Sequence, residues 1–111
     1  MSTAAVSGLE QDAGANPLEG VEVSFSLYVP DPPVVVYGAE GQEIDATAPP
    51  VSVTSGSDGT WSIELERTDT MMPAGQLYQV QRIVGGIHQA LAFITVPAGG
   101  GPLWQLLTPE P

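Results

Sequence analysis

The sequence has no cysteine and no lysine, and its only cations are Arg67 and Arg82, against thirteen acidic residues. Without cysteine, disulfides and thiolate metal sites are excluded. Affinity for nucleic acid depends mainly on Lys and Arg contacts with phosphate. The net charge of −11 therefore argues against a DNA or RNA partner, and equally against attraction to an anionic membrane surface.

Long apolar runs are also missing from the sequence. No stretch approaches the ~20 apolar residues that a membrane helix needs, and the first residues lack the basic start and apolar run of a signal peptide. We therefore expect a protein that is made in a cytoplasm and acts in soluble form.

The sequence contains little that favours helices. Thirteen glycines and eleven prolines make up more than a fifth of the 111 residues, well above the usual ~12%. Both residue types are unfavourable inside a helix, and no proline-free window shows an apolar period of 3.6 residues. Short strands separated by turns explain the composition better.

Strands are indicated by alternation of apolar and polar residues. The clearest is Val21–Val29, in which every second residue is apolar, as in a half-buried strand. Asp58-Gly59 and Gly85-Gly86 are turn signals, the second typical of a two-residue hairpin. The other predicted strands or apolar segments are Thr3–Ser7, Val34–Tyr37, a weak one at Glu43–Thr47, Val51–Ser55, Trp61–Leu65, Gln76–Val84, Ile87–Val96 and Leu103–Leu107, with a glycine-rich loop at 97–102.

Seven or eight short strands at regular spacing predict an all-β fold, a single antiparallel β-sandwich of immunoglobulin-like or prealbumin-like type. A chain of this length forms one domain, which we place at residues 1–107, followed by a tail at 108–111. The predicted core consists of Val6, Val21, Val23, Phe25, Leu27, Trp61, Ile63, Leu65, Tyr78, Val80, Leu91, Phe93, Ile94 and Val96.

The sequence offers little catalytic chemistry. His88 is the only histidine, and its predicted place is a strand surface beside a hairpin turn. Glu64 and Glu66 are predicted on the outward face of one strand, where solvated carboxylates keep ordinary pKa values and make poor general acids. We therefore expect no enzyme, no catalytic residue and no cofactor. A small hydrolase would need His88 or a carboxylate pair in a cleft.

One loop carries oxygen ligands of the kind that calcium prefers. Asp12, Asn16 and Glu19 are close together in the sequence, but they lack the spacing of an EF-hand loop. Asp and Asn are also ordinary turn formers that hydrogen-bond to their own backbone. We assign no metal ligand here, and whether calcium binds near Asp12 stays open.

Five residues are candidates for contact with a partner, because aromatic and exposed apolar side chains often anchor interfaces. They are Tyr28, Tyr37, Met71, Met72 and Trp104. The alternative is that these side chains cover the ends of the predicted sandwich.

Two segments resemble prealbumin-like domains related to the carboxypeptidase regulatory domain. The first comprises Val6–Gly8 and Gly14–Phe25, which contain the turn Asn16-Pro17-Leu18-Glu19-Gly20 before an alternating strand. The second is Ser57–Leu65, in which an Asp-Gly turn leads into another alternating strand. The resemblance implies a β-sandwich and supplies no catalytic residues.

The later part of the chain is similar to modules in minor tail and fibre proteins of phages that infect actinobacteria. The similar stretches are Pro73–Val80, Ile94–Pro97 and Gly100–Trp104. The resemblance implies a non-enzymatic virion structural protein of the tail, in minor tail or fibre attachment, made in the host cytoplasm and located in the virion. Its implied partners are other virion proteins, in a homo-oligomer or a symmetric multi-copy assembly. The alternatives are a capsid decoration protein and a carbohydrate- or receptor-binding module.

Overall fold

A computed structural model describes residues 3–28, 35–44, 50–89 and 92–109 of the chain. This part of the chain is mostly β, with several antiparallel sheets, as the sequence predicts. Its elements are β1 (Thr3–Leu9), β2 (Glu22–Leu27), β3 (Val36–Tyr37), β4 (Glu43–Ile44), β5 (Val51–Thr54), β6 (Thr60–Glu66), β7 (Tyr78–Val84), β8 (Ile87–His88), β9 (Ala92–Ile94), β10 (Gly101–Pro102), α1 (Leu103–Leu106) and β11 (Leu107–Thr108). The predicted strand residues Val29, Val34 and Asp45–Thr47, the core residue Leu91 and the final tail residues 110–111 lie outside the described ranges.

The first sheet has the strand order β10-β1-β6. β1 and β6 are antiparallel along their whole length, from the pair Thr3–Glu66 to the pair Leu9–Thr60. β10 is parallel to β1, so the predictions of a loop at 97–102 and of antiparallel pairing throughout are wrong there. Gly100 explains this close approach, because its φ is +60° and a Cβ on it would lie 2.1 Å from the Ala5 carbonyl oxygen.

The second sheet has the strand order β11-β9-β7-β2-β5, and β8 also pairs with β7. β2 confirms the predicted alternation, since Val23, Phe25 and Leu27 are buried while the residues between them are only half-buried. The hairpin at Gly85-Gly86 is also confirmed. Both glycines have positive φ and join β7 to β8, as a two-residue hairpin turn requires.

Both large sheets contribute side chains to the core. The first sheet contributes Val6, Trp61 and Leu65, and the second contributes Phe25, Val80 and Ile94, among others. The rings of Phe25 and Trp61 meet with their centroids 5.7 Å apart. Of the predicted core residues, Ile63 is only partly buried against this core. Phe93 is buried but packs instead against Tyr28, with ring centroids 5.7 Å apart.

The last apolar segment, to which the sequence assigns no particular element, is mostly helical. Leu103–Leu106 forms one helical turn, which follows Pro102 and leads into β11. Residues three apart share a helix face, so Leu103 and Leu106 both pack on the core. The same geometry turns Trp104 outward. Thr108, the first residue of the predicted tail, belongs to β11 and pairs with Phe93.

None of the residues that the structure describes belongs to a helix long and apolar enough to cross a membrane.

Candidate functional site

Two of the predicted contact residues, Tyr37 and Met72, are neighbours in the structure. Their backbones form an antiparallel bridge with hydrogen bonds of 2.8 and 2.9 Å. Both side chains are exposed, Tyr37 at 42% and Met72 at 62%. Val35 is exposed two residues before Tyr37, while Val36 between them is buried. We call Val35, Tyr37 and Met72 the Tyr37–Met72 patch.

Met71 is not a contact residue, so this prediction is wrong. Its side chain is only 1% exposed and belongs to the core. The backbone turns at this point, since the Met71 amide donates to the Thr68 carbonyl at 3.2 Å. Thr68 is itself fixed, because its hydroxyl accepts from the Val96 amide at 2.8 Å. The turn directs Met71 inward and leaves Met72 on the surface.

Trp104 is the most exposed large apolar side chain among the described residues, at 71%. It lines an open groove of about 600 Å³ on the outer face of the first sheet. We call this the Trp104 groove. Its lining also includes Ser7, Gly8, Leu9, Thr60, Ser62 and Pro102.

Three hydroxyl-bearing side chains are among the residues that line the Trp104 groove. Ser7 pairs with Ser62 across β1 and β6, and Leu9 pairs with Thr60, so these side chains share one face of the sheet. The Thr60 hydroxyl donates to Asp58 Oδ1 at 2.7 Å, and this bond lowers the pKa of the Asp58 carboxyl. Within the described ranges, the hydroxyls of Ser7 and Ser62 have no protein partner.

A second, smaller hollow of about 170 Å³ also includes Trp104 in its lining, together with Glu10 and the apolar residues Leu9, Leu103 and Leu107. Leu9 and Leu107 are both more than half exposed. Trp104 therefore contributes to the lining of both hollows, and 71% of it is exposed.

Tyr28 is half-buried, and its ring contacts Phe93 edge-on, with the ring planes at 85°. Part of its apolar surface is therefore used within the fold. A partner contact by Tyr28 stays a prediction.

A buried ionic contact joins the two large sheets, and sequence reasoning missed it. Glu10 follows β1 and is 8% exposed. Its carboxylate accepts a hydrogen bond from Trp61 Nε1 at 3.0 Å and another from Arg82 Nε. Arg82 occupies an inward position of β7, two residues after the buried Val80. The sequence did contain a signal for this contact, because Arg82 stands at a position of the strand where the alternation predicts an apolar residue. A cation at such a position needs a buried partner.

Glu66 differs from the predicted solvated carboxylate. Glu64 is exposed as expected, but Glu66 is half-buried, and its Oε2 is fully buried with no hydrogen-bond partner in the described residues. Burial raises the pKa of the Glu66 carboxyl, and the nearby charge of Glu40 raises it further. The Tyr78 hydroxyl donates to the Glu66 carbonyl at 2.9 Å, and burial raises the pKa of Tyr78 as well.

The remaining candidates for chemistry lie apart from these groups. His88 is exposed in β8, beside the hairpin turn. Asp12 Oδ1 accepts from the amides of Gly14 and Asn16 at 2.8 and 3.0 Å, and the Asn16 hydrogen bonds lower the pKa of the Asp12 carboxyl. Asp12 thus stabilises the backbone turn in which it lies. In the described part of the chain, no three His, Cys, Asp or Glu side chains are grouped as a metal site would require.

Neither a scan of protein-family models nor a search of curated proteins finds a match for this chain.

Proposed function

We propose that this chain is a non-enzymatic structural module of a phage virion, and that it docks on a neighbouring virion protein through the Tyr37–Met72 patch. The patch is the observation that carries the proposal. Three large apolar side chains lie exposed together there on a strongly acidic domain. Exposed apolar groups of this kind mark protein-interaction sites, and Tyr is a favoured interface anchor.

The proposal also includes the fold. We propose that the two large sheets pack as a prealbumin-like β-sandwich. The contact between Phe25 and Trp61 supports face-to-face packing of the two large sheets, and so does the ionic contact of Glu10 with Arg82. Packed sheets bring their inner side chains together in this way.

A tail position, in minor tail or fibre attachment, is our preferred placement, with capsid decoration as the second. Both rest on the sequence resemblance. In either position the chain is present in many copies related by symmetry. The non-enzymatic part of the proposal is supported by the positions of His88, which is exposed, and Asp12, which is engaged in its own turn.

Quantitative mass spectrometry of purified particles tests the proposal. We expect the parent chain in the particles. In Tyr37→Ala and Met72→Gln variants, the amount per particle should fall about tenfold at limiting concentration, because each loses roughly 1.5 kcal/mol of apolar contact. Ile87→Ala is the matched control, since Ile87 is 68% exposed but lies on the β7–β8 hairpin. Absence of the parent chain from particles would defeat the proposal, and so would equal incorporation of all variants.

A further inference from the structure

We propose that the Trp104 groove binds a neutral saccharide, with one sugar ring stacked on the Trp104 indole. The helical turn α1 holds this indole outward, because Leu103 and Leu106 occupy the core-facing side. An indole face carries partial negative charge. The C–H groups on one face of a pyranose ring carry partial positive charge, so the two surfaces attract each other while both lose contact with water.

The hydroxyl side chains that line the groove can form hydrogen bonds with the hydroxyl groups of a sugar. A hydroxyl can both donate and accept a hydrogen bond, as a sugar hydroxyl also does. Ser7 and Ser62 lie opposite each other in the sheet, and both hydroxyls lack a protein partner in the described chain. A ring stacked on Trp104 would share the groove with these two hydroxyls.

The charge of the groove and of the whole chain limits which polar ligands can bind. No residue lining the Trp104 groove is charged, and the chain as a whole carries −11. Phosphorylated, sulfated and uronic sugars would meet repulsion with no compensating cation. The volume of about 600 Å³ lies within the range of about 300–1,000 Å³ that is usual for small-molecule sites. A neutral saccharide fits these conditions.

The groove and the Tyr37–Met72 patch lie at opposite ends of the first sheet. The groove is at the Leu9 end of β1. Met72, which forms a bridge with Tyr37, follows shortly after Glu66, the last residue of β6, and Glu66 pairs with Thr3 at the other end of β1. Tyr37 itself lies in β3. A seven-residue strand is about 20 Å long, so docking through the patch leaves the groove free. The saccharide site does not depend on the proposed docking.

Titration of the full chain with neutral trisaccharides of glucose, mannose, galactose and N-acetylglucosamine tests this proposal. Binding is followed by tryptophan fluorescence and by amide chemical shifts. We expect at least one trisaccharide to bind saturably in the millimolar range. Its affinity should fall about tenfold in Trp104→Ala, in line with the value of a stacked aromatic contact, and less in Ser62→Ala. Trp104→Phe should retain part of it. Ile87→Ala is the control and should bind as the parent does.

Several results would overturn the proposal. The first is the absence of saturable binding across the panel. The second is equal binding by the parent and by Trp104→Ala, provided that the circular dichroism spectrum of the variant is unchanged. The third is tighter binding of a sulfated than of a neutral saccharide. If no saccharide binds while Trp104→Ala reduces incorporation into particles, the groove is a protein contact instead. Failure of saccharide binding leaves the test of Tyr37 and Met72 unaffected.

Discussion

Glu10 is the residue at which the two large sheets are joined by charge. Its buried carboxylate accepts a hydrogen bond from Trp61 of the first sheet and another from Arg82 of the second. Taking a carboxylate out of water is costly unless a cation and hydrogen bonds compensate it. Removal of the Arg82 cation alone should therefore be more damaging than the partial exposure of its side chain suggests.

We predict that Arg82→Met lowers the free energy of unfolding by about 2 kcal/mol, because Glu10 is left buried without its cation. Urea unfolding followed by tryptophan fluorescence measures this. Arg67→Met is the matched control, since Arg67 pairs with the exposed Asp69 and exposed pairs contribute little. If the free energy of unfolding falls equally in both variants, the burial of Glu10 adds nothing to the cost of losing its cation, and the prediction is contradicted.

Glu66 gives the protein a stability component that depends on pH. Its pKa is raised in the folded protein, so the folded state binds this proton more readily than the unfolded chain does. Stability should therefore fall as the pH rises from the ordinary carboxyl pKa to the raised one. Above that window, the buried charge is a constant cost.

We predict that Glu66→Gln has a higher Tm than the parent at neutral pH, and that the difference disappears below the ordinary carboxyl pKa of about 4.3. Thermal unfolding across a pH series measures both. Glu64→Gln removes the same charge from an exposed position of the same strand. Its Tm should therefore follow the parent at every pH. A Glu66→Gln variant that is less stable than the parent at neutral pH would contradict the predicted direction of the effect.

At the scale of elements, the strands with clear alternation were predictable from sequence. β2 and the Gly85-Gly86 hairpin follow from local pattern, since a period of two and a positive-φ pair each indicate one structure. β10 and α1 were not predictable in this way. β10 has only two residues and no apolar pattern, while α1 is a single turn whose helical period cannot be recognised in four residues.

The candidate site was predictable only in part, for a related reason. An exposed Trp104 follows from the register of α1, and the separate fates of Met71 and Met72 follow from the turn at Thr68. Both depend on local backbone direction that composition does not reveal. The Glu10–Arg82 contact joins residues 72 positions apart, so only the three-dimensional pairing of the sheets brings it about.

The turn before β6 gives a prediction at the element scale. Gly59 has a φ of +82°, and a Cβ on it would lie 2.3 Å from the Glu10 carbonyl oxygen. Gly86 has nearly the same φ, +80°, with no atom within 4 Å. Gly86→Ala should cost about 1 kcal/mol for conformation alone, and Gly59→Ala about 2 kcal/mol or more because the backbone must also move.

Chemical denaturation of the two glycine variants measures this difference. Equal losses would show that the turn does not press against Glu10. A larger loss in Gly59→Ala would confirm that the Asp58-Gly59 turn fixes the position at which Glu10 enters the core.

At the scale of the whole molecule, the described surface carries the Tyr37–Met72 patch and the Trp104 groove on an acidic background. The Tyr37–Met72 patch suits a protein neighbour, and the Trp104 groove suits a neutral ligand. Their separation along β1 lets the chain hold both at once. If both proposals hold, one end of the first sheet binds a virion protein and the other end binds a saccharide.

Imaging of intact particles by electron cryomicroscopy tests this view most directly. We expect density for this chain in repeated copies, with Tyr37 and Met72 covered by a neighbouring virion protein and Trp104 facing solvent. Particles that lack the chain, or that hold it with Tyr37 and Met72 in solvent, would contradict it.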